Sequence, residues 1–168
     1  VYDLGIDIDR IANPLKADSE QEVHYPLTQG THLGAERFTL NRELGKGGMG
    51  AVWLAWDEEV QEEVALKLVL GQRGLSPESL EDLQREVNKS HNLDHPNIVQ
   101  MGYFWHEPEE PAFISLEYVE GTDLDQLRSK SPSGLLSWNQ VRQYMMQLCD
   151  ALDYAHSQKV AHRDIKPS

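Results

Sequence analysis

The chain predicts an α+β fold: an antiparallel sheet of five strands covered by one helix, then a run of further helices. Two patterns carry this expectation. Between residues 37 and 119, five short runs alternate apolar and polar side chains, with one helical stretch among them. Beyond Gly121 that alternation gives way to helical spacing. The chain therefore divides into an extension or linker over 1–36, a sheet unit over 37–119 and a helical unit over 120–168.

Residues 1–36 hold no sustained helical period and collect Pro14, Pro26 and the acids Asp3, Asp7, Asp9, Asp18, Glu20 and Glu22. Within them Leu4, Ile6 and Ile8 alternate with Gly5, Asp7 and Asp9, which fits one short strand with a solvated acidic face. A calcium loop is disfavoured, because the residues after Asp9 lack the glycine and closing glutamate that an EF-hand requires.

RFTLNREL, AVWLAWD and EEVALKLVL then read as three consecutive antiparallel strands. Such a meander needs a cover. Ser76 is placed to cap a helix with Pro77 in its first turn, and Glu78, Glu81 and Asp82 favour its positive end. Leu80, Leu83 and Val87 recur at helical spacing and form the stripe that meets the sheet, before His95 and Pro96 stop the pattern. NIVQMGYFW and AFISLEYV are two more strands, joined by the acidic turn EPEEP. LDQLRSK is a short helix broken by SPSG. Ser137 then caps a longer helix, 138–156, with Val141, Tyr144, Met145, Leu148, Leu152 and Ala155 on one broad apolar face. The single cysteine, Cys149, falls in that helix, where a buried small hydrophobe is expected.

Lys and Arg total 15 against 28 Asp and Glu, a formal net charge of -13, which opposes general attraction to nucleic acid or anionic lipid. Any phosphate site must therefore be local. No apolar run approaches the roughly 18 residues of a membrane span, and the N-terminus lacks the basic and apolar regions of a signal peptide. With one cysteine and no disulfide framework, a cytoplasmic location is expected.

Gly45-Lys46-Gly47-Gly48-Met49-Gly50-Ala51-Val52 is a G-x-G-x-x-G-x-V sequence between two strand patterns. Glycines there let backbone N–H groups approach phosphate oxygens that a Cβ would hold off. A dinucleotide-binding version of the motif would open a helix, whereas AVWLAWD continues as a strand, so the segment suits a flap over a nucleotide. Val64-Ala65-Leu66-Lys67 lies on the next strand, and the chain ends in His162-Arg163-Asp164-Ile165-Lys166-Pro167-Ser168.

Together these segments resemble the signature set of the eukaryotic-like (Hanks-type) serine/threonine protein kinases, over about residues 37–168. The style of RELGKGGMGAVWLA and HRDIKPS resembles bacterial members. The resemblance implies a kinase-like fold, with 37–119 as the small lobe and hinge and 120–168 as the start of the large lobe. It also implies ATP with Mg²⁺ as cofactor, under the glycine loop of Gly45, Lys46, Gly47, Gly48, Met49 and Gly50. Leu44, Val52 and Ala65 would roof the adenine, with Leu116 as gatekeeper behind it; the Glu117 carbonyl and Val119 N–H would pair with it, and Asp123 would reach the ribose. A lysine on a half-buried strand is costly without anionic partners. Lys67 would meet the α and β phosphates and Glu86, which lies beside Val87 on the edge of the helix's apolar stripe.

The closing segment is similar to the catalytic loop H-R-D-x-K-x-x-N. By that likeness Asp164 would accept the substrate hydroxyl's proton, Lys166 would steady the γ-phosphate, and the lysine two places after the aspartate implies a serine or threonine acceptor. His162 would be a structural anchor, and Arg163 would bind a phosphorylated activation loop. The 168 residues contain no D-F-G and no asparagine five places after Asp164, so no Mg²⁺ ligand is assigned within them. Two functions are expected accordingly: a parent kinase of which this is the ATP-binding portion, inactive by itself, or a non-catalytic kinase-like module that binds nucleotide or a partner. Self-association through helix 138–156 is a third expectation, since the covering helices of the family are not among these residues.

Overall fold

The computed structural model describes residues 27–47, 50–69, 77–108, 110–162 and 165. The expected strand over 4–8, the Ser76 cap, Gly48, Met49, Arg163, Asp164 and Lys166 lie outside the described residues. The elements run β1 (His32–Leu33), β2 (Phe38–Gly47), β3 (Gly50–Asp57), β4 (Glu62–Val69), α1 (Pro77–His91), β5 (Met101–Trp105), β6 (Ala112–Glu117), α2 (Leu124–Lys130) and α3 (Trp138–Ser157). The strands form one antiparallel sheet in the order β1-β2-β3-β4-β6-β5.

The sheet has six strands rather than five. The extra one is β1, which pairs His32 with Thr39 and Leu33 with Phe38, so that sheet structure begins ahead of Arg37. A strand of two residues is too short to show alternation. The turn after it is only partly signalled: Gly34 takes a left-handed φ of 66°, but Ala35 and Glu36 also take left-handed values, 53° and 68°, that normally call for glycine or asparagine.

Alternation puts a different core on each face of the sheet. On one face Ala65, Val69, Ile114 and Leu116 pack with Met101 and with Leu83 and Val87 of α1, as the helical stripe predicts. On the opposite face Phe38, Leu40, Trp53, Ala55, Leu66, Leu68 and Phe113 pack together with Leu33. Phe38 meets Phe113 edge to face with ring centroids 5.5 Å apart. Arg37 closes this second face: its guanidinium binds Asp57 through two nitrogens, Nε at 3.0 Å and Nη2 at 2.7 Å, and pairs with Glu59. Burial pushes the Asp57 carboxyl up, but Arg37 and the N–H groups of Glu59 and Val60 outweigh it and hold Asp57 below the usual carboxylate range. The same bond to Asp57 raises Arg37.

The helical unit begins with two capped helices. Asp123 Oδ1 accepts from Gln126 N at 2.7 Å at the start of α2. Ser137 and Gln140 form a reciprocal capping box on α3. The apolar face of α3 is covered along its C-terminal half, where Ala151 and Ala155 pack with Leu93 and Ile98 from the segment after α1. Leu148 is buried, Val141, Tyr144 and Leu152 are half-buried, and Met145 is 46% exposed. Cys149, expected inside, is exposed. It sits about 100° around the helix from Leu148, off the packed stripe.

Candidate nucleotide site

The register of the central strands gathers the expected binding residues on the α1 face of the sheet. Val52 stands opposite Lys67, Ala65 opposite Leu116, and Lys67 opposite Ile114, while Gly45 pairs with Val52 and Gly47 with Gly50 across the β2–β3 turn. Leu44 and Val52, both partly buried, pack against the cluster that contains Ala65 and Leu116. Leu44, Val52, Ala65 and Leu116, the residues expected to roof and gate an adenine, thus form one surface, with Lys67 beside it. Aliphatic side chains of this kind match the flat face of a purine, and a lysine at the rim matches its phosphates.

Lys67 and Glu86 are both half-buried. Among the described residues the ion pairs do not include one between them. Glu86 sits on the flank of α1 whose neighbours Leu83 and Val87 are fully buried against the sheet, on the side of the sheet that also carries Lys67. The expected pairing is not made in this structure.

At the sheet's end Glu117 is fixed by Gln100 twice: its N–H donates to Gln100 O at 2.8 Å, and its Oε2 accepts from Gln100 N at 3.1 Å. Val119 follows, 40% exposed. Sequence reasoning did not foresee that Arg42 Nη2 donates to the Tyr118 hydroxyl at 3.2 Å, tying the strand that enters the glycine turn to the segment leaving β6. Asp123, expected at the ribose, has both carboxylate oxygens on Gln126, with Oδ2 accepting from Nε2 at 2.7 Å. Its first role here is the cap of α2, a signal legible in the run D-L-D-Q. Among the described residues no group of three or more His, Cys, Asp or Glu is arranged to hold a metal ion.

Residues 38–168 match the protein kinase domain, and the chain belongs to that family. Its relatives place it among the eukaryotic-like serine/threonine kinases. It is 33% identical over 144 residues to the serine/threonine-protein kinase PknF of Mycobacterium tuberculosis, covering 85% of this chain and 29% of that protein. It is 35% identical over 131 residues to PrkC of Bacillus subtilis, covering 78% and 20%. The crystal structure of the M. tuberculosis PknI kinase domain superimposes with a TM-score of 0.73 at 28% identity, over 84% of this chain and 55% of that one. The chain thus spans about half of that kinase domain and under a third of PknF.

Proposed function

We propose that this chain is the ATP-binding portion of a parent enzyme that phosphorylates serine or threonine in protein substrates. The observation that carries the reading is the continuous surface of Leu44, Val52, Ala65 and Leu116, with Lys67 on the strand beneath the glycine turn. Adenine lies against that surface and pairs with the Glu117 carbonyl and Val119 N–H. Lys67 holds the phosphates, and Glu86 orients Lys67 once α1 moves toward the sheet. Asp123 bonds the ribose by releasing Gln126 Nε2 while keeping its cap bond. In the parent, Asp164 takes the proton of the substrate hydroxyl and Lys166 neutralises the transferring phosphate. Mg²⁺ neutralises phosphate charge in this chemistry, but its ligands are not assigned to these residues.

By themselves the 168 residues bind ATP weakly and transfer nothing, since they lack D-F-G. Phosphorylation of a generic basic protein by the purified chain, free of contaminating kinase, would refute this. In the parent, Lys67→Met should lower activity by orders of magnitude with little loss of stability, and an unchanged rate would remove Lys67 from the mechanism. We place the parent's kinase portion in the cytoplasm; no helix among the described residues is long and apolar enough to cross a membrane.

A second reading, a non-catalytic module, is favoured by one observation: Leu135, Trp138, Met145 and Met146 are 70%, 74%, 46% and 60% exposed around the first half of α3. That patch offers a surface for self-association. Light scattering across a concentration series tests that association, and a stable monomer at high micromolar concentration would exclude it.

A further inference from the structure

On the side of the sheet turned away from α1 runs a groove of about 470 Å³, which meets the proposed nucleotide surface at Leu116 and Glu117. Its walls include Val60, Glu62, Glu63, Val64, Tyr103 and Glu117. Val60 and Tyr103 are 54% and 57% exposed, large apolar surfaces left in water at its rim. The Tyr103 ring is held in place from one side, with the Arg37 guanidinium 4.4 Å from its centroid. Gly102 and Ser115 also line it: a Cβ at residue 102 would lie 2.4 Å from Ser115 Oγ, so glycine lets the two strands close up there.

The charge of the groove is one-sided. Arg37 is already paired with Asp57 and Glu59. Glu62 and Glu117, which strand alternation and the pairing of Val64 with Glu117 place on the face of Val64, have no cationic partner among the described residues. The chain cannot readily supply the missing charge: residues 1–26 hold six acids against Arg10 and Lys16, and a second copy brings a net charge of -13. An occupant must be cationic and must also carry apolar surface for Tyr103, Val60 and Val64.

We propose that this groove docks a basic segment of a protein partner, with Lys or Arg side chains between the glutamates and a neighbouring aliphatic side chain against Tyr103. The site adjoins the nucleotide surface only at Leu116 and Glu117 and does not depend on the chain binding ATP. Exposed charge pairs are individually weak, so binding rests on several acting together with the apolar contact, and it weakens as salt rises.

The test is an NMR titration of the ¹⁵N-labelled chain with the synthetic peptide acetyl-Leu-Arg-Arg-Leu-Arg-amide. Saturable shifts are expected at the amides of Glu62–Val64, Gly102 and Tyr103, with none at Gly45–Gly47. Glu62→Gln/Glu117→Gln should raise Kd about tenfold, on the order of the loss of two exposed charge pairs. A peptide with glutamate in place of every arginine should not bind. Shifts confined to the glycine strand pair, equal binding of the acidic peptide, or an unchanged Kd in the double variant would overturn the proposal. So would concentration-dependent shifts at the groove without peptide, which would assign it to a second copy. Should the double variant fail to fold, the comparison of the two peptides on the unaltered chain decides alone.

Discussion

Gly102→Ala tests the packing of the sheet where β5 meets β6. The added Cβ would lie 2.4 Å from Ser115 Oγ and 3.3 Å from Ser115 O, the first far inside contact distance. Ser115 is buried, and its hydroxyl is not free to swing away, because it accepts the Tyr103 N–H at 2.7 Å. Rotation would leave that partly buried N–H without its acceptor, a loss of about 1 to 3 kcal/mol. Keeping the rotamer would force the strands apart, an overpacking cost of similar size, about 1 to 3 kcal/mol. The variant should therefore lose about 2 to 3 kcal/mol in urea unfolding, measured by tryptophan fluorescence. Ser115→Ala removes the clashing atom, so adding Gly102→Ala to it should cost clearly less than adding it to the unaltered chain. Strict additivity of the two substitutions, or a stability unchanged by Gly102→Ala, would refute this account of the contact.

The Arg37–Asp57 pair predicts an acid-labile component of stability: the folded Asp57 titrates below its ordinary 3.8, so its contribution is present above that value and is lost as pH falls through the lower, folded one. Between about pH 5 and pH 3 the urea midpoint of Asp57→Asn should fall less steeply than that of the unaltered chain, and parallel curves would contradict the coupling. Ile98→Ala empties a site 3% exposed that joins the segment after α1 to Ala151 and Ala155. It should cost about 2 to 4 kcal/mol and increase amide exchange in α3, whereas protection equal to the unaltered chain would show that α3 is held elsewhere. Ser137→Ala breaks the capping box and should lower stability by about 1 kcal/mol, read from thermal unfolding; a loss below about 0.3 kcal/mol would mean that the cap is redundant.

The sheet was legible wherever strands run long enough to alternate. AVWLAWD and EEVALKLVL became β3 and β4, and their register placed Val52, Ala65 and Lys67 on one face as a period of two demands. Ser137 and its helix were legible because a cap is a local event. What sequence could not give were contacts set by tertiary placement. Strand β1 depends on a turn of left-handed Ala35 and Glu36, and the exposure of Cys149 depends on which neighbours reach α3. Whether Lys67 pairs with Glu86 depends on where α1 sits against the sheet, a rigid-body coordinate that residue pattern does not encode. The groove beside Tyr103 was illegible for the same reason, since its walls come from β4, β5, β6 and the turn before β4.

If the α1 face of the sheet and the segment after β6 form an ATP surface, an NMR titration of the ¹⁵N-labelled chain with ATP reports it directly. Saturable shifts are predicted at the amides of Gly45, Val52, Lys67 and Val119, weakened by Lys67→Met, with Glu62 and Gly102 on the opposite face unmoved. Absence of saturable shifts at millimolar ATP, or shifts confined to that opposite face, would contradict the account.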